Sequence, residues 1–252
     1  MVTITSQQNE FFRRLEDLLN GKGIRRWNEA LVHGLRFGSE VARDFPDRVK
    51  GWIVSEELAR TFAPSNDART TVLAAPLFRE IDIFGTNEPL LHVTAPALIK
   101  ESRLELPPKG KLDLIVPFQN PENVGGVIRT AAALGIRRIL LTEEAAHPLH
   151  PKSIRAAAGA VFRLPQVRVT ALSEVELDWD KCVALSAEGS DLRTFVWPTS
   201  GFLIPGIEGP GLPENIKQRC RLAAVPVERG VESLNGMVAT AIAIYSWRLA
   251  GH

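Results

Sequence analysis

The stretch Asn120-Pro-Glu-Asn-Val-Gly-Gly-Val-Ile-Arg-Thr-Ala-Ala-Ala-Leu-Gly135 decides the fold class of this chain. It follows the short apolar run Leu112-Asp-Leu-Ile-Val-Pro-Phe118, which has the composition of a buried strand. Asn120 is suited to the N-cap of a helix, Pro121 to its first position and Gly135 to its C-terminal stop. The two segments together predict a strand that is followed directly by a helix.

Two glycines and one arginine indicate that this predicted helix does more than fill a core. Gly125 and Gly126 each cost about 1 kcal/mol in helix propensity, so they favour close approach of another backbone or of a ligand. Arg129 lies among apolar residues and requires a partner or an exposed cleft. A dinucleotide-binding loop is disfavoured, because the Gly-x-Gly-x-x-Gly pattern and the acidic residue at the ribose spacing are absent. A tightly packed helix with an outward-reaching arginine stays open as the alternative.

The second half of the chain repeats this alternation of strands and helices. Further apolar runs occupy residues 138–142, 182–186, 202–204 and 221–227. Near-continuous apolar strands that alternate with helices favour an α/β fold with a parallel sheet covered on both faces. A last helix is predicted from one apolar stripe at helical spacing, formed by Leu234, Met237, Val238, Ala241, Ile242 and Tyr245.

Composition excludes several classes of protein. The 252 residues are 45% hydrophobic and 23% charged with a net charge of +1, so a disordered chain, a coiled coil and a strongly basic binder are excluded. Cys182 and Cys220 form no metal-binding spacing and are expected to be buried thiols in a reducing compartment. No apolar run approaches about 18 residues and no leader pattern is visible, so a cytoplasmic protein without membrane spans is expected.

The first hundred residues form a segment of different character. Helical spacing around Phe11 and Leu15 is followed by strand-like runs at residues 49–54 and 89–94. The cluster Leu106-Pro-Pro-Lys-Gly-Lys111 is the best linker candidate. We therefore expect a small N-terminal α/β domain over residues 1–100, a linker over 101–111 and a second domain over 112–252.

Two glycine-rich or polar loops follow predicted strands of the second domain. Phe202-Leu-Ile-Pro-Gly-Ile-Glu-Gly-Pro-Gly-Leu212 contains one carboxylate, Glu208, and Val225-Pro-Val-Glu-Arg-Gly-Val-Glu-Ser-Leu-Asn235 contains the neutral hydrogen-bonding groups of Ser233 and Asn235. Both loops can expose backbone groups to a ligand. A plain tight turn, and a plain helix N-terminus capped by Ser233, stay open as the alternatives.

A metal site is not expected. His147 and His150 are close in sequence, but no third ligand is apparent.

In their order along the chain, the motifs resemble those of the SpoU (TrmH-like) RNA 2′-O-ribose methyltransferases, which belong to the SPOUT superfamily. The matching pieces are Asn-Pro-x-Asn-x-Gly-x-x-x-Arg-Thr-Ala from Asn120, Gly-x-Glu-Gly-x-Gly-Leu from Gly206, and Ser-Leu-Asn from Ser233. The stretch 148–165 between them also resembles this family. A weaker resemblance links residues 4–9 and 31–36 to the family's appended RNA-binding domain, whose fold is shared with certain ribosomal proteins.

The resemblance implies a deep trefoil knot near the C-terminus that binds S-adenosylmethionine in a bent shape. It places the cofactor against the backbone of the last two motif loops. The residues implied for this pocket are Gly206, Val225, Val227 and Leu234, with Ser186 and Ala187 adding to it. A backbone-lined apolar pocket suits adenine, because backbone groups satisfy its edge atoms.

The reaction implied is methyl transfer to a ribose 2′-hydroxyl. Arg129 matches the family's essential arginine and is expected to bind the adjacent phosphate and to stabilise developing alkoxide charge, because a guanidinium is a poor base at neutral pH. Asn123 is expected to orient Arg129 or the ribose, and Ser233 and Asn235 to complete the polar site. Glu208 is expected to organise its loop rather than to exchange protons.

RNA is the expected partner, since only RNA carries the 2′-hydroxyl, with ribosomal RNA favoured over transfer RNA and no DNA or membrane expected. The resemblance also implies a homodimer, in which Arg129 of one chain faces the cofactor of the other. Because residues 1–100 carry 13 basic and 13 acidic residues, RNA contact there requires a local patch. The candidates for this patch are Arg13, Arg14, Arg25, Arg26 and Arg36.

Two other functions are weighed against methyl transfer. One is an RNA-binding protein that keeps the fold and is catalytically silent, and the other is an enzyme acting on small nucleotides. The presence of all the polar motif residues disfavours the silent protein. The departures from the family pattern are Asn120 in place of Asp, Ala157 in place of Ser, Val227 in place of Met, and Gly236-Met237 after Asn235. They remove no proposed catalytic group but affect residues expected near the cofactor.

Overall fold

A computed structural model describes residues 3–63, 69–95, 97–207 and 211–251. The strands are β1 (Thr3–Ile4), β2 (Glu29–His33), β3 (Val49–Ser55), β4 (Thr70–Leu73), β5 (Leu90–Thr94), β6 (Lys100–Glu101), β7 (Leu112–Val116), β8 (Ile139–Leu141), β9 (Gln166–Val169), β10 (Cys182–Asp191), β11 (Gly201–Ile204) and β12 (Arg221–Ala224). The helices are α1 (Glu10–Asp17), α2 (Gly21–Trp27), α3 (Leu35–Asp44), α4 (Ala75–Ile81), α5 (Pro121–Ala133), α6 (Pro151–Ala157), α7 (Glu214–Lys217) and α8 (Gly236–Leu249). Within these ranges no helix combines the length and the apolar character needed to cross a bilayer.

The chain divides into two compact units at positions that differ from the expected ones. The first unit comprises Met1–Ala97 and His147–Phe162, and the second comprises Leu98–Ala146 and Arg163–His252. The expected linker at residues 101–111 is part of the second unit, because β6 pairs with β9 and Gly110 donates to the carbonyl of Thr199. Residues 147–162, expected in the second domain, lie with the first unit because α6 packs against β2.

The first unit is built on a mixed five-stranded sheet in the order β1-β4-β3-β5-β2. Strand β4 is parallel to β1 and β3, whereas β5 is antiparallel to β2 and β3. Helix α1 begins where the Oδ1 atom of Asn9 accepts hydrogen bonds from the amides of Phe11 and Phe12, at 2.9 and 3.2 Å. Its apolar face buries Phe12 and Leu15 in one core with Ile53 and Phe78. The first unit therefore combines helices with a mixed sheet.

The second unit is built on a seven-stranded sheet in the order β12-β10-β11-β7-β8-β9-β6. Every pair in it is parallel, which confirms the fold class read from the alternating pattern. Helix α5 begins at the predicted cap, where Asn120 Oδ1 accepts a hydrogen bond from the Glu122 amide at 2.8 Å. Helices α5 and α8 pack together, and a side chain at Gly126 would come within 3.3 Å of Met237. Glycine at this position therefore permits close helix packing.

None of the six residues in the predicted stripe of the last helix is buried: three are exposed and three are half-buried. Val238, Ile242 and Tyr245 are 40%, 39% and 56% exposed, whereas Ala243, Ile244 and Trp247 are buried. Helix α8 thus carries apolar residues on more than one face. Because both faces are apolar, the spacing alone does not decide which of them covers the sheet.

A buried histidine gives the first unit a specific dependence on pH. Burial lowers the pKa of His33 from 6.5 to about 4, the charge of Arg155 adds to this effect, and Asp82 opposes it. In the unfolded chain His33 binds a proton below pH 6.5, whereas in the folded chain it does so only below about pH 4. The free energy of unfolding should therefore fall as the pH falls through this window, by about 3 kcal/mol from this residue.

We expect the variant His33→Phe to lose this part of the pH dependence, because phenylalanine keeps a ring in the core and does not titrate. Urea unfolding at pH 7 and at pH 4.5, followed by tryptophan fluorescence, measures it. The wild-type protein should lose more stability between these pH values than the variant. Equal losses in the two proteins would contradict the assignment to His33.

Candidate active site

Four segments of the second unit meet at the carboxyl edge of its sheet. Gly206 follows β11, and a Cβ atom placed there would lie 3.2 Å from the carbonyl oxygen of Leu185 in β10. Gly236 begins α8, and a Cβ atom there would lie 3.0 Å from the Gly206 carbonyl oxygen and 3.0 Å from the ring of Phe118, which follows β7. The carboxyl ends of parallel strands are where α/β sheets bind ligands. These contacts therefore define the candidate site.

The main chain is a large part of this site, because neither Gly206 nor Gly236 can carry a side chain without pressing on a neighbouring backbone or ring. Among the other residues expected near the cofactor, Val225 and Leu234 are half-buried, whereas Val227 is 41% exposed. Outside helices and sheet ladders, no main-chain hydrogen bond among the described residues uses the amides of Gly206, Val225 or Leu234.

Of the other residues expected near the cofactor, Ser186 is half-buried and adjoins Leu185, and Ala187 is exposed. The Ser186 hydroxyl accepts a hydrogen bond from the amide of Glu188 at 3.4 Å. Glu208 lies outside the described residues.

The start of α8 is organised by Asn235 rather than by Ser233. The Oδ1 atom of Asn235 accepts hydrogen bonds from the amides of Met237 and Val238, at 2.9 and 3.3 Å. Asn235 is therefore the N-cap, and the alternative of a Ser233 cap is wrong. Ser233 is exposed two residues earlier, which leaves its hydroxyl accessible from solvent.

Helix α5 presents the expected arginine outward. Asn123 is buried in the first turn of this helix, whereas Arg129 is exposed one and a half turns later. Within the described residues Arg129 makes no hydrogen bond or ion pair, whereas Arg137 and Arg138, just before β8, both pair with Asp113. Its guanidinium is therefore able to bind an anion from outside this chain.

The five arginines expected to contact RNA differ in their surroundings. Arg13 and Arg25 are exposed. Arg14 stacks on Trp27 at 4.4 Å and lies 3.3 Å from the buried carboxylate of Glu29. Arg26 also stacks on Trp27, at 4.8 Å, and Arg36 pairs with Glu40 along α3. Arg14, Arg26 and Arg36 of the predicted basic patch therefore interact with side chains of the first unit.

Glu29 itself is held ionised by its neighbours. Burial raises the pKa of this carboxyl, but hydrogen bonds from Lys50 and His92, each at 2.9 Å, outweigh burial and hold the pKa below its usual range.

The two histidines considered for a metal have local structural contacts. His147 Nδ1 accepts a hydrogen bond from the Leu149 amide, and His150 Nδ1 accepts one from Lys152 at the start of α6. Among the described residues no group of three metal-ligating side chains is found.

The sequence did not single out three contributors to the site. Phe118 lies just after β7 and Leu185 lies within β10, and both are apolar core residues like many others, so the sequence carries no signal for them. Gly236 was noted only as a departure from a family pattern. The available signal was its position directly after the predicted cap Asn235, where any larger residue would contact Phe118 and the backbone of Gly206.

Comparison with known proteins gives a family for this region. Residues 114–245 match the SpoU rRNA Methylase family. The chain is 39% identical over 249 residues, 98% of its length, to "Ribosomal RNA small subunit methyltransferase G 2" of Syntrophobacter fumaroxidans, of which the match covers 49%. It is 28% identical to "23S rRNA (guanosine(2553)-2'-O)-methyltransferase RlmP" of Bacillus subtilis, covering 98% of this chain and 100% of that protein.

A solved structure is similar over nearly the whole chain. The SpoU methyltransferase AviRb from Streptomyces viridochromogenes, in complex with the cofactor AdoMet, has a TM-score of 0.76 and 26% identity, and the match covers 97% of this chain and 100% of that one. The chain spans about half the length of the first three curated relatives that it matches.

Proposed function

The chain belongs to the SpoU rRNA methylase family, and on this premise we propose that it transfers a methyl group from S-adenosylmethionine to a ribose 2′-hydroxyl of structured RNA. The observation that carries the proposal is the meeting of Phe118, Leu185, Gly206 and Gly236 at the carboxyl edge of a parallel sheet. This site lies inside the matched residues. The exposed Arg129 lies on α5, which packs against the same α8 that begins at the site.

The residues of the site fit S-adenosylmethionine. The amides of Gly206, Val225 and Leu234 would meet the polar edge of adenine, and the apolar parts of Val225 and Leu234 would cover its faces. The absence of side chains at Gly206 and Gly236 lets the segments around Leu185, Gly206, Gly236 and Phe118 pack closely at this edge. When bound, the sulfonium group supplies an activated methyl group to the acceptor.

The polar residues of this chain would act on the acceptor. A ribose hydroxyl is a weak nucleophile at neutral pH, so it must be aligned and its developing negative charge stabilised. Arg129 would bind the adjacent phosphate through the N–H groups of its planar guanidinium and would place a fixed positive charge beside the reacting oxygen. Asn123, buried in the first turn of the same helix, would position α5. Ser233, which is exposed, would donate a hydrogen bond to the acceptor ribose or accept one from it.

We propose ribosomal RNA as the substrate in preference to transfer RNA. Two relatives that align over 96–98% of this chain are named as 23S rRNA 2′-O-methyltransferases. RNA would be distinguished from DNA by the reacting 2′-hydroxyl itself. The exposed Arg13 and Arg25 of the first unit are candidates for contact with RNA phosphates. A ribosomal substrate would place the enzyme in the cytoplasm.

We propose that the C-terminal part of the second unit is knotted, as in SPOUT proteins. The proposal rests on the match of residues 114–245 to the SpoU family and on the strand order, in which β12 lies beside β10 on the side away from β11. Ala223 of β12 pairs with both Leu185 and Ser190 of β10, so the residues of β10 between these two positions bulge out of the ladder. A Cβ atom at Gly189 would lie 2.6 Å from the Ala223 nitrogen. The bulge of β10 therefore lies so close to β12 that only glycine fits at position 189.

We propose a homodimer that uses the exposed apolar face of α8. Val238, Ile242, Tyr245 and Leu249 recur along one side of this helix and are 39–70% exposed. A contiguous exposed apolar stripe of this kind is typical of a protein interface. A two-fold contact through α8 and the adjoining α5 would bring Arg129 of one chain toward the site of the other.

A charged residue introduced on the exposed apolar face of α8 tests the proposed dimer. We expect Ile242→Glu to shift the protein from dimer to monomer, because a two-fold axis places two new carboxylates close together in an apolar contact. Light scattering coupled to size exclusion measures the mass. Ile99→Glu, which changes another exposed isoleucine of the second unit, serves as the control and should keep the wild-type mass. An unchanged mass for Ile242→Glu would contradict this interface.

The cofactor part of the proposal is tested by calorimetric titration of S-adenosylmethionine and S-adenosylhomocysteine into the full chain. We expect binding of one molecule per chain. Absence of binding at millimolar ligand, both alone and with ribosomal RNA present, would contradict the proposal and favour a catalytically silent RNA-binding protein.

A further inference from the structure

The first unit contains a small cavity that the proposed methyl transfer does not use. Its volume is about 130 Å³, and His33, Arg36, Phe84, Thr86 and Arg155 contribute to its wall. We call it the His33 cavity. The side chains come from the end of β2, the start of α3, the segment after α4, and α6. With the carboxylate of Glu88, which accepts a hydrogen bond from the Leu35 amide at 3.3 Å, the cavity combines aromatic, cationic, anionic and neutral polar groups within one compact unit.

His33 is the polar group at the base of this cavity. It is 8% exposed, and neither ring nitrogen has a hydrogen-bond partner among the described residues. Because the pKa of His33 is lowered to about 4, its imidazole is neutral at pH 7. A neutral imidazole offers one N–H donor and one acceptor nitrogen. Such a pair is suited to a ligand edge that carries both an acceptor and a donor.

Phe84 and Arg155 provide flat surfaces at the same cavity. The guanidinium carbon of Arg155 lies 4.3 Å from the centre of the Phe84 ring. The Phe84 ring meets the His33 ring edge-on, with 5.1 Å between centroids. Aromatic rings and guanidinium planes are the surfaces on which unpaired nucleic-acid bases stack. Arg36, with its side chain 87% exposed, adds a positive charge at the rim for a phosphate.

The volume of the cavity is close to that of one six-membered ring. A protein cavity of about 150 Å³ holds a benzene molecule, and the His33 cavity is slightly smaller. A pyrimidine base has one six-membered ring with donors and acceptors on its edge, whereas a purine has a second fused ring. The volume therefore favours a pyrimidine.

We propose that the His33 cavity binds one unpaired pyrimidine base of the RNA substrate. The base would stack on Phe84 and Arg155 and would be read at its edge by His33. This inference rests on the proposed function in one respect, namely that the substrate is RNA. It assigns to the first unit a preference for a pyrimidine in a single-stranded segment, beyond binding of phosphates by surface arginines.

The probes are fluorescein-labelled oligouridine and oligoadenosine of equal length, titrated with the full chain at fixed salt and followed by fluorescence anisotropy. The wild-type protein should bind oligouridine more tightly. Phe84→Leu keeps the apolar volume and removes the ring, so it should weaken oligouridine binding by about tenfold and leave oligoadenosine binding unchanged. Equal affinity of the wild-type protein for both probes, or equal losses on both in the variant, would overturn the proposal.

A matched control is available in the same unit. Phe45 is also half-buried, has the guanidinium of Arg48 5.4 Å from its ring centre and contacts a second aromatic ring, but it does not line the His33 cavity. Phe45→Leu should leave the affinity for both probes unchanged. A tenfold loss of oligouridine binding in this control would show that the probes report the general state of the unit, and would overturn the proposal.

A second variant tests stacking without disturbing the core. Arg155 is exposed, and Arg155→Lys keeps its charge while removing the planar surface. We expect this variant to lose the preference for oligouridine while the salt dependence of binding stays as in the wild-type protein. These assays need neither cofactor nor methyl transfer. Methyl transfer to RNA without a pyrimidine preference would overturn this inference alone, and the reverse result would overturn the methyl-transfer proposal alone.

Discussion

The variant Arg129→Ala should transfer methyl groups to RNA about a thousandfold more slowly than the wild-type protein, with the affinity for S-adenosylmethionine changed by less than about twofold. Arg129 is exposed on α5 and makes no ion pair among the described residues, so its removal leaves the packing of the helix intact. Loss of one positioned donor at developing negative charge costs about a hundredfold to a thousandfold in rate. Loss of the phosphate contact adds to this.

The measurement combines transfer of tritiated methyl groups to ribosomal RNA with calorimetry of cofactor binding. Arg103→Ala is the control, since Arg103 is another exposed arginine of the second unit. It follows β6, the strand at one end of the strand order, and lies outside the candidate site. It should retain wild-type turnover. Parallel losses of turnover and cofactor affinity in Arg129→Ala would show that Arg129 supports the cofactor pocket, and would contradict a role on the acceptor.

The variant Asp113→Ala should lower the free energy of unfolding by about 3–5 kcal/mol and the melting temperature by about 10 °C. Asp113 lies in β7 with no exposed surface. Its carboxylate accepts hydrogen bonds from Arg137 Nε at 2.7 Å and from Arg138 Nε at 2.8 Å, and Arg138 also pairs with Glu101 of β6. Removing the carboxylate leaves two partly buried guanidinium groups without this partner.

The control for this variant is Asp191→Ala in the same unit. Asp191 pairs with Arg193, whose side chain is 77% exposed, and exposed pairs contribute little. Its loss should leave the melting temperature close to that of the wild-type protein. Thermal unfolding followed by circular dichroism measures both variants. Similar melting temperatures for Asp113→Ala and Asp191→Ala would contradict a structural role for the buried cluster.

Local chemistry made the strand–helix unit at residues 112–135 predictable. Asn120 satisfies free amides at the helix start and Pro121 requires none, so the cap and the first residue follow from their side chains alone. The parallel sheet was predictable because its strands are apolar on both faces. The order of the strands is set by contacts between distant segments, such as β12 beside β10, and composition does not encode it.

The parts that the sequence did not predict depend on long-range packing. Residues 147–162 lie between strands of the second unit in sequence, yet they pack on β2 of the first unit. The His33 cavity exists because Arg155 of that segment reaches Phe84. The role of Asn235 as the cap of α8 depends on where the helix begins, and the apolar stripe from Leu234 predicts that start two residues too early.

The most direct test of the proposed reaction is the chemical position of the methyl group. Ribosomal RNA labelled by the protein with tritiated S-adenosylmethionine is hydrolysed in alkali, which cleaves a phosphodiester only through a free 2′-hydroxyl. We predict that the label is recovered in alkali-resistant dinucleotides, and that Arg129→Ala yields almost none. Label recovered in mononucleotides would place the methyl group on a base and would contradict 2′-O-ribose methylation.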